Sequence, residues 1–370
     1  MPRALIAFEP PDGGVAEHVG QLAVGLPAHG WEVEVAGPDA ATIYPRLDDA
    51  GVPVHRIGGL DRGYGRPWRD ARALRQLTRI ARSGSYDLVH CHSAKAGTLG
   101  RLAARLTGVP SVYTPHCFGF VGDVSPARRL LVPPAERLLG RLTSMLICVS
   151  DAELAEAAQR RIGRSAARRR IYNGCEPCAA ASPKPPSPAA LRVGSIAVLR
   201  RQKGLDVLID AATRIFAAVP EATIAIIGDG PLRAELADRA RASGLDGDRR
   251  FRFVPFEPPS SRYLAELDLF VLPSFWEAFP ISILEALACG VPQVATDVGG
   301  TGEAVDPSTG ILIPARDPDA LAEAVVELLH DPDRRRRMAT ASRSRWEDRF
   351  RLERMVAETA EAYLEVVGRG

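Results

Sequence analysis

"SFWEAFPISILEALACGVPQVATD", Ser274 to Asp297, sets Glu277 and Glu285 on either side of the apolar turn Phe279-Pro280-Ile281. An apolar run, Leu269 to Leu272, precedes the stretch. A helical pattern, Ser282 to Ala288, and a second apolar run, Gln293 to Thr296, lie inside it. Short apolar runs separated by a helix predict parallel strands, because a strand covered on both faces loses its polar alternation. Two explanations then compete for the glutamates. Ser282 and Glu285 have the spacing of a capping box, in which Glu285 would satisfy a free backbone N–H at a helix start. Alternatively both carboxylates face a ligand at the carboxyl edge of a parallel sheet, where such sheets bind small molecules.

The same pattern extends outward through the chain. Strands are predicted at Ala4–Phe8, Glu32–Ala36, Val52–Ile57, Leu88–Cys91, Ser111–Thr114, Met145–Val149 and Arg170–Tyr172, with helices such as Trp68–Arg82 and Ala94–Leu106 between them. The segment Glu176 to Ala190, "EPCAAASPKPPSPAA", carries five prolines and breaks the series as a linker. A second series follows: strands Val193–Leu199, Ala222–Ile227, Phe251–Val254, Leu269–Leu272, Gln293–Thr296 and Ile311–Ile313, with helices Leu205–Ala217, Leu232–Ala242 and Ser282–Ala288. The fold class expected is α/β, two doubly wound domains facing across a cleft. The expected boundaries are 1–175, the linker 176–190, 191–345, and a C-terminal helix, 346–370, crossing back to the first domain.

Composition sets few limits. At 370 residues the chain is long for one hydrophobic core. A net charge of +2 gives no support to nucleic acid binding, and no apolar run is long enough to span a bilayer. The start, MPRALIAFEP, reads as a first strand and not as a signal peptide. Only Lys95, Lys184 and Lys203 are lysines, so each carries more information than any one of the many arginines. The six cysteines show no disulfide framework, which suits a reducing cytoplasm, and Cys175-x-x-Cys178 lacks the second pair a metal site would need.

The loops after the strands concentrate the chemistry. Gly13-Gly14 follows the first strand and precedes a helix expected near Val15, where backbone N–H groups can approach an anion. His116 ends the fifth strand. His90 and His92 could join it around a metal, but without a cysteine or carboxylate at fixed spacing they are read as structural, and no metal or cofactor is expected. Arg200, Arg201 and Lys203 sit between a strand and a helix; cations there oppose the helix dipole and call for an anion, such as phosphate. Gly228-Asp229-Gly230-Pro231 reads as a tight turn with Pro231 as the first helical residue. The D-x-D matches at Asp246, Asp317 and Asp331 read as turn or cap residues.

Taken together, the Gly13-Gly14 loop, "HSAKAGTLGRLAARLTGVPSVYTPH", "VSDAELA" with "IYNG", "QKGLDVLIDAA", "GDGPL" and "EAFPISILEALACGVPQVATDVGGTGEAV" resemble the retaining GT-B glycosyltransferases of family four, whose domains are Rossmann-like. The resemblance implies a nucleotide-diphosphate sugar donor, of UDP or GDP type, and transfer of a hexose-type group with retention at the anomeric carbon. It implies that Glu285 accepts hydrogen bonds from the donor ribose and that Glu277 contacts the transferred sugar. Phe279, Pro280 and Ile281 would line the sugar and diphosphate pocket. Lys203, with Arg200 or Arg201, would neutralise the leaving diphosphate; Gly13 and Gly14 would approach phosphate, and His116 would reach the sugar. Asn173 and Glu303 also fall on family positions. Val198 stands where relatives usually carry an arginine, and Cys117 where glycine often follows the histidine. The acceptor, whether small molecule, lipid-linked carrier or glycan, stays open, as does peripheral contact of the basic, apolar stretch Pro126–Leu142 with a membrane face. The competing readings are a nucleotide-sugar epimerase and a binding module that retains the pocket without transfer.

Overall fold

A computed structural model of the protein describes residues 1–61, 66–163, 168–179 and 191–368. Most of the linker expectation and Lys184 fall outside them. The chain divides into two compact units, one formed by Met1–Gly174 with Leu352–Gly370, the other by Cys175–Arg351.

Among the described residues of the first unit, seven parallel strands form one sheet: β1 (Arg3–Phe8), β2 (Glu32–Gly37), β3 (Val54–Arg56), β4 (Leu88–His92), β5 (Ser111–Thr114), β6 (Met145–Cys148) and β7 (Arg168–Arg170), in the order β3-β2-β1-β4-β5-β6-β7. The strand period of two divides the core. Ala4, Ile6 and Phe8 of β1 join one apolar cluster with Val33, Val35 and Leu88, while Leu5 and Ala7 join the opposite one with Val89 and Tyr113. The C-terminal helix Leu352–Val367 belongs to this unit because Met355, Val356, Ala360 and Tyr363 are packed into the first of those clusters.

The second unit repeats the plan with β8 (Leu191–Ile196), β9 (Ala222–Ile227), β10 (Phe251–Val254), β11 (Leu269–Leu272), β12 (Gln293–Thr296) and β13 (Gly310–Ile313), in the order β10-β9-β8-β11-β12-β13. In each sheet the strand order reverses beside the first strand, between β1 and β4 and between β8 and β11. Loops leaving the carboxyl ends of the strands on either side of such a point splay apart and open a crevice.

Three local expectations need correction. β8 ends at Ile196 and not Leu199, because Leu199 leaves the sheet to donate its N–H to Asp229 O (2.9 Å) and accept from Leu232 N (3.1 Å). That second bond also holds Leu232 as the N-cap of helix Arg233–Ala242, so Pro231 precedes the helix and is not its first residue. β7 lies at Arg168–Arg170, two residues earlier than expected, paired in register with Leu146–Cys148. Asp317 and Asp331 do cap helices, each accepting backbone N–H groups, whereas Asp246 lies in a turn.

The cysteine expectation is also corrected. Cys178 and Cys289 form a disulfide across 111 residues of sequence, with Cα atoms 4.9 Å apart. Cys175 is buried and lies outside this disulfide, so Cys175-x-x-Cys178 is neither a metal pair nor a redox pair in itself. No helix among the described residues is long and apolar enough to cross a membrane.

Candidate functional site

Ser274–Asp297 folds as a loop, a helix and the strand β12. β11 delivers Ser274 to Pro280 to the carboxyl edge of the second unit's sheet, and the helix Ile281–Ala288 starts immediately after, with Pro280 as its N-cap. No side chain caps that helix, and Ser282 lies inside its first turn, so the capping-box reading of Ser282 and Glu285 fails. Glu285, half-buried, instead accepts from Ser260 Oγ at 2.8 Å. The first N–H groups of the helix, Ile281 and Ser282, have no intrahelical acceptor by construction.

Glu277 is buried, and its carboxylate is the hub of the loop. Oε1 accepts from Lys203 Nζ at 2.5 Å and from Ser274 Oγ at 2.7 Å; Oε2 accepts from Gln202 Nε2 at 3.3 Å. Lys203 ends a 3-10 turn, Arg201–Lys203, that follows β8, so the ion pair spans the point where the strand order reverses. The anion that the sequence demanded for this cation is, in the structure, Glu277. Arg200 is half-buried and Arg201 exposed on the same loop.

Two glycines make the geometry possible. Gly204 is left-handed (φ 58°), and a Cβ there would lie 2.0 Å from Pro273 O. Gly299, also left-handed (φ 54°), passes so close to Glu277 that a Cβ would lie 1.8 Å from its carbonyl oxygen. Only glycine tolerates both the dihedral and the approach. Phe279 is buried with its ring 5.5 Å from that of Phe350, and Pro280 and Ile281 are buried beside it, so only their backbone is available to a ligand.

In the first unit, Gly13 is left-handed (φ 76°) and begins the helix Gly13–Gly25, two residues before the expected start; Gly14 is exposed. The loops after β4 and β5 carry non-glycine residues in the left-handed region: Ser93 (φ 69°), His116 (φ 51°) and Cys117 (φ 88°). Such backbone persists only where neighbours hold it. Glu153 does so here, accepting from Cys117 N (2.7 Å) with one oxygen and from Val149 N (2.9 Å) with the other. Lys95 is absorbed structurally by Asp61 (3.0 Å) and Asp70 (3.2 Å).

His116 sits in a group of imidazoles. His92 Nδ1 and His116 Nε2 are 3.0 Å apart, and the His18 ring lies 4.6 Å from that of His116. His90 is tied by both nitrogens, to Tyr363 Oη (2.6 Å) and Thr114 Oγ1 (2.8 Å). Burial holds His18 down at about 4, against a hydrogen bond to Asn173 that raises it, and burial depresses His92 and His116 well below the usual imidazole range. All three are neutral at pH 7. The sequence reading overlooked His18, although its position one helical turn after Gly14 was a usable signal. It also overlooked Ser260, Ser274, Gln202 and Gly299, and for Ser260, 25 residues from Glu285, no sequence signal existed.

The family described as "Glycosyl transferases group 1" matches residues 187–331, and the "Glycosyl transferase 4-like domain" matches residues 13–174. Among curated proteins, the glycogen synthase of Mycobacterium tuberculosis is 30% identical over 381 aligned positions, covering 95% of this chain and 91% of that protein. The UDP-Gal:alpha-D-GlcNAc-diphosphoundecaprenol alpha-1,3-galactosyltransferase of Escherichia coli is 28% identical, covering 71% of each. Among solved structures, Anabaena HepE in complex with UDP and glucose superposes with a TM-score of 0.83 at 22% identity, covering 99% of this chain and 100% of that one.

Proposed function

The chain belongs to the group 1 glycosyl transferases and is a glycosyltransferase of the GT-B fold, and from that premise we propose that it moves a hexose-type sugar from a nucleoside-diphosphate donor, with retention of anomeric configuration. The observation that carries the donor reading is the Lys203–Glu277 pair at 2.5 Å, set at the sheet's reversal point beside an uncapped helix start. A cation and free N–H groups suit a diphosphate; carboxylates suit sugar hydroxyls.

In this reading the incoming diphosphate takes Lys203 from Glu277. The released carboxylate, kept in place by Ser274 and Gln202, then accepts from hydroxyls of the transferred sugar. Glu285 trades the Ser260 hydroxyl for the donor ribose. Phe279, Pro280 and Ile281 contribute backbone to the pocket wall, and Arg200 or Arg201 supplies the charge that Val198 does not. As the glycosidic bond to phosphate breaks, negative charge grows on the diphosphate, and preorganised positive groups lower the barrier most. We assign Gly13 and Gly14 to phosphate contact and His116 to the transferred sugar. The ligands in the HepE structure, UDP and glucose, favour a uridine donor.

The test is a panel of UDP- and GDP-sugars with candidate acceptors. Nucleoside diphosphate release that depends on acceptor, with an axial or equatorial product linkage matching the donor by NMR, supports the proposal. Binding without turnover, or isomerised donor with no acceptor, would replace it with a binding module or an epimerase.

A further inference from the structure

Of the four clustered imidazoles in the first unit, His90 has both nitrogens engaged, whereas His18 and His92 do not. One ring nitrogen of each of His18, His92 and His116 lies within 4.8 Å of the other two. His18 Nδ1 and His92 Nε2, the nitrogen of that ring not bonded to His116, are buried and have no hydrogen-bond partner. Evenly placed around a tetrahedral zinc at about 2.0–2.1 Å, three nitrogens would stand roughly 3.3–3.4 Å apart. His92 and His116 already approach to 3.0 Å, so the set needs modest adjustment. His116 can supply it, being half-buried on the loop after β5, and that exposed side is the way in.

We propose that His18, His92 and His116 form a three-imidazole site for a late first-row transition metal dication, Zn²⁺, Co²⁺ or Ni²⁺, with further positions open to water. The donor chemistry selects the class. All three donors are imidazole nitrogen, and among the described residues no carboxylate joins the set, which disfavours the hard cations Mg²⁺ and Ca²⁺. His116 is also the residue assigned above to the transferred sugar, so the site adjoins the proposed transfer chemistry; its test reads metal binding and does not depend on turnover.

The experiment uses the full chain, stripped with a chelator and titrated with Co²⁺ at pH 7, reading the visible bands of nitrogen-bound cobalt. One equivalent should bind and be displaced by Zn²⁺. His18→Gln and His92→Gln should each weaken binding on the order of 100-fold, since even changes behind the ligands cost 10–100-fold, while His330→Gln, an exposed histidine at a helix end, should leave it unchanged. X-ray absorption of the Zn²⁺-loaded wild type, which needs no variant to fold, should count three imidazoles. Fewer than three, or an affinity that neither variant alters, would overturn the site; so would failure of the stripped protein to take up one equivalent.

Discussion

Gly299→Ala isolates the placement of Glu277 from everything else in the second unit. The new Cβ would lie 1.8 Å from Glu277 O and 2.9 Å from its carbonyl carbon; reaching the 3.0 Å floor of real contacts requires the two backbones to part by about 1.2 Å. Alanine in the left-handed conformation adds roughly 1–2 kcal/mol. The loop Phe275 to Phe279 is what must yield, because Gly299 also neighbours the bond from Gly300 N to Ala278 O (3.1 Å). Glu277 is then carried off the Lys203 and Ser274 positions. A displacement of about 1 Å at a positioning group lowers turnover on the order of 10²-fold. The helix Ile281–Ala288 is anchored by the buried Ile283, Leu284 and Leu287, so Glu285 stays in place and nucleoside diphosphate affinity should hold within about threefold. The assay pairs donor-saturated turnover with calorimetric titration of the free diphosphate. Turnover at the wild-type rate would refute the role of this contact, and an equal collapse of both quantities would mean that the whole unit, not Glu277, had been disturbed.

Other outcomes follow from the same geometry. Glu285→Ala should weaken diphosphate binding by about 1.5–3 kcal/mol, the worth of a charged hydrogen bond; unchanged calorimetric affinity would remove Glu285 from the donor site. Lys203→Ala should lower kcat on the order of 10² to 10³, as loss of one preorganised charge stabiliser does, and Val198→Arg should leave turnover equal or higher; a Lys203→Ala enzyme at full speed refutes the clamp. His18, held near 4 when folded against 6.5 free, takes up its proton mainly on unfolding. Stability therefore holds above pH 6.5 and falls as pH drops toward 4, by about 2 kcal/mol between pH 7 and 5 from this residue alone. Melting of wild type and His18→Asn across that range should show the smaller slope in the variant, and parallel slopes would contradict the burial argument.

Local sequence determined the strands and helices closely, because a strand buried on both faces must be a short apolar run: Ala222–Ile227, Phe251–Val254, Leu269–Leu272 and Gln293–Thr296 agree with the structure residue for residue. It also located Glu277 and Lys203 in loops after strands and Glu285 in the helix that follows one, since turn and helix-start chemistry is local. Partners were a different matter. That Lys203 closes on Glu277, 74 residues away, that Ser260 and not a helix N–H holds Glu285, that Cys178 bonds Cys289, and that His18 joins His92 and His116 all depend on strand order. A parallel sheet sets side by side strands that are distant in sequence, and the first strand of each sheet lies beside the fourth. Residue type and spacing can announce that a group needs a partner; only the sheet decides which group is near enough to be one.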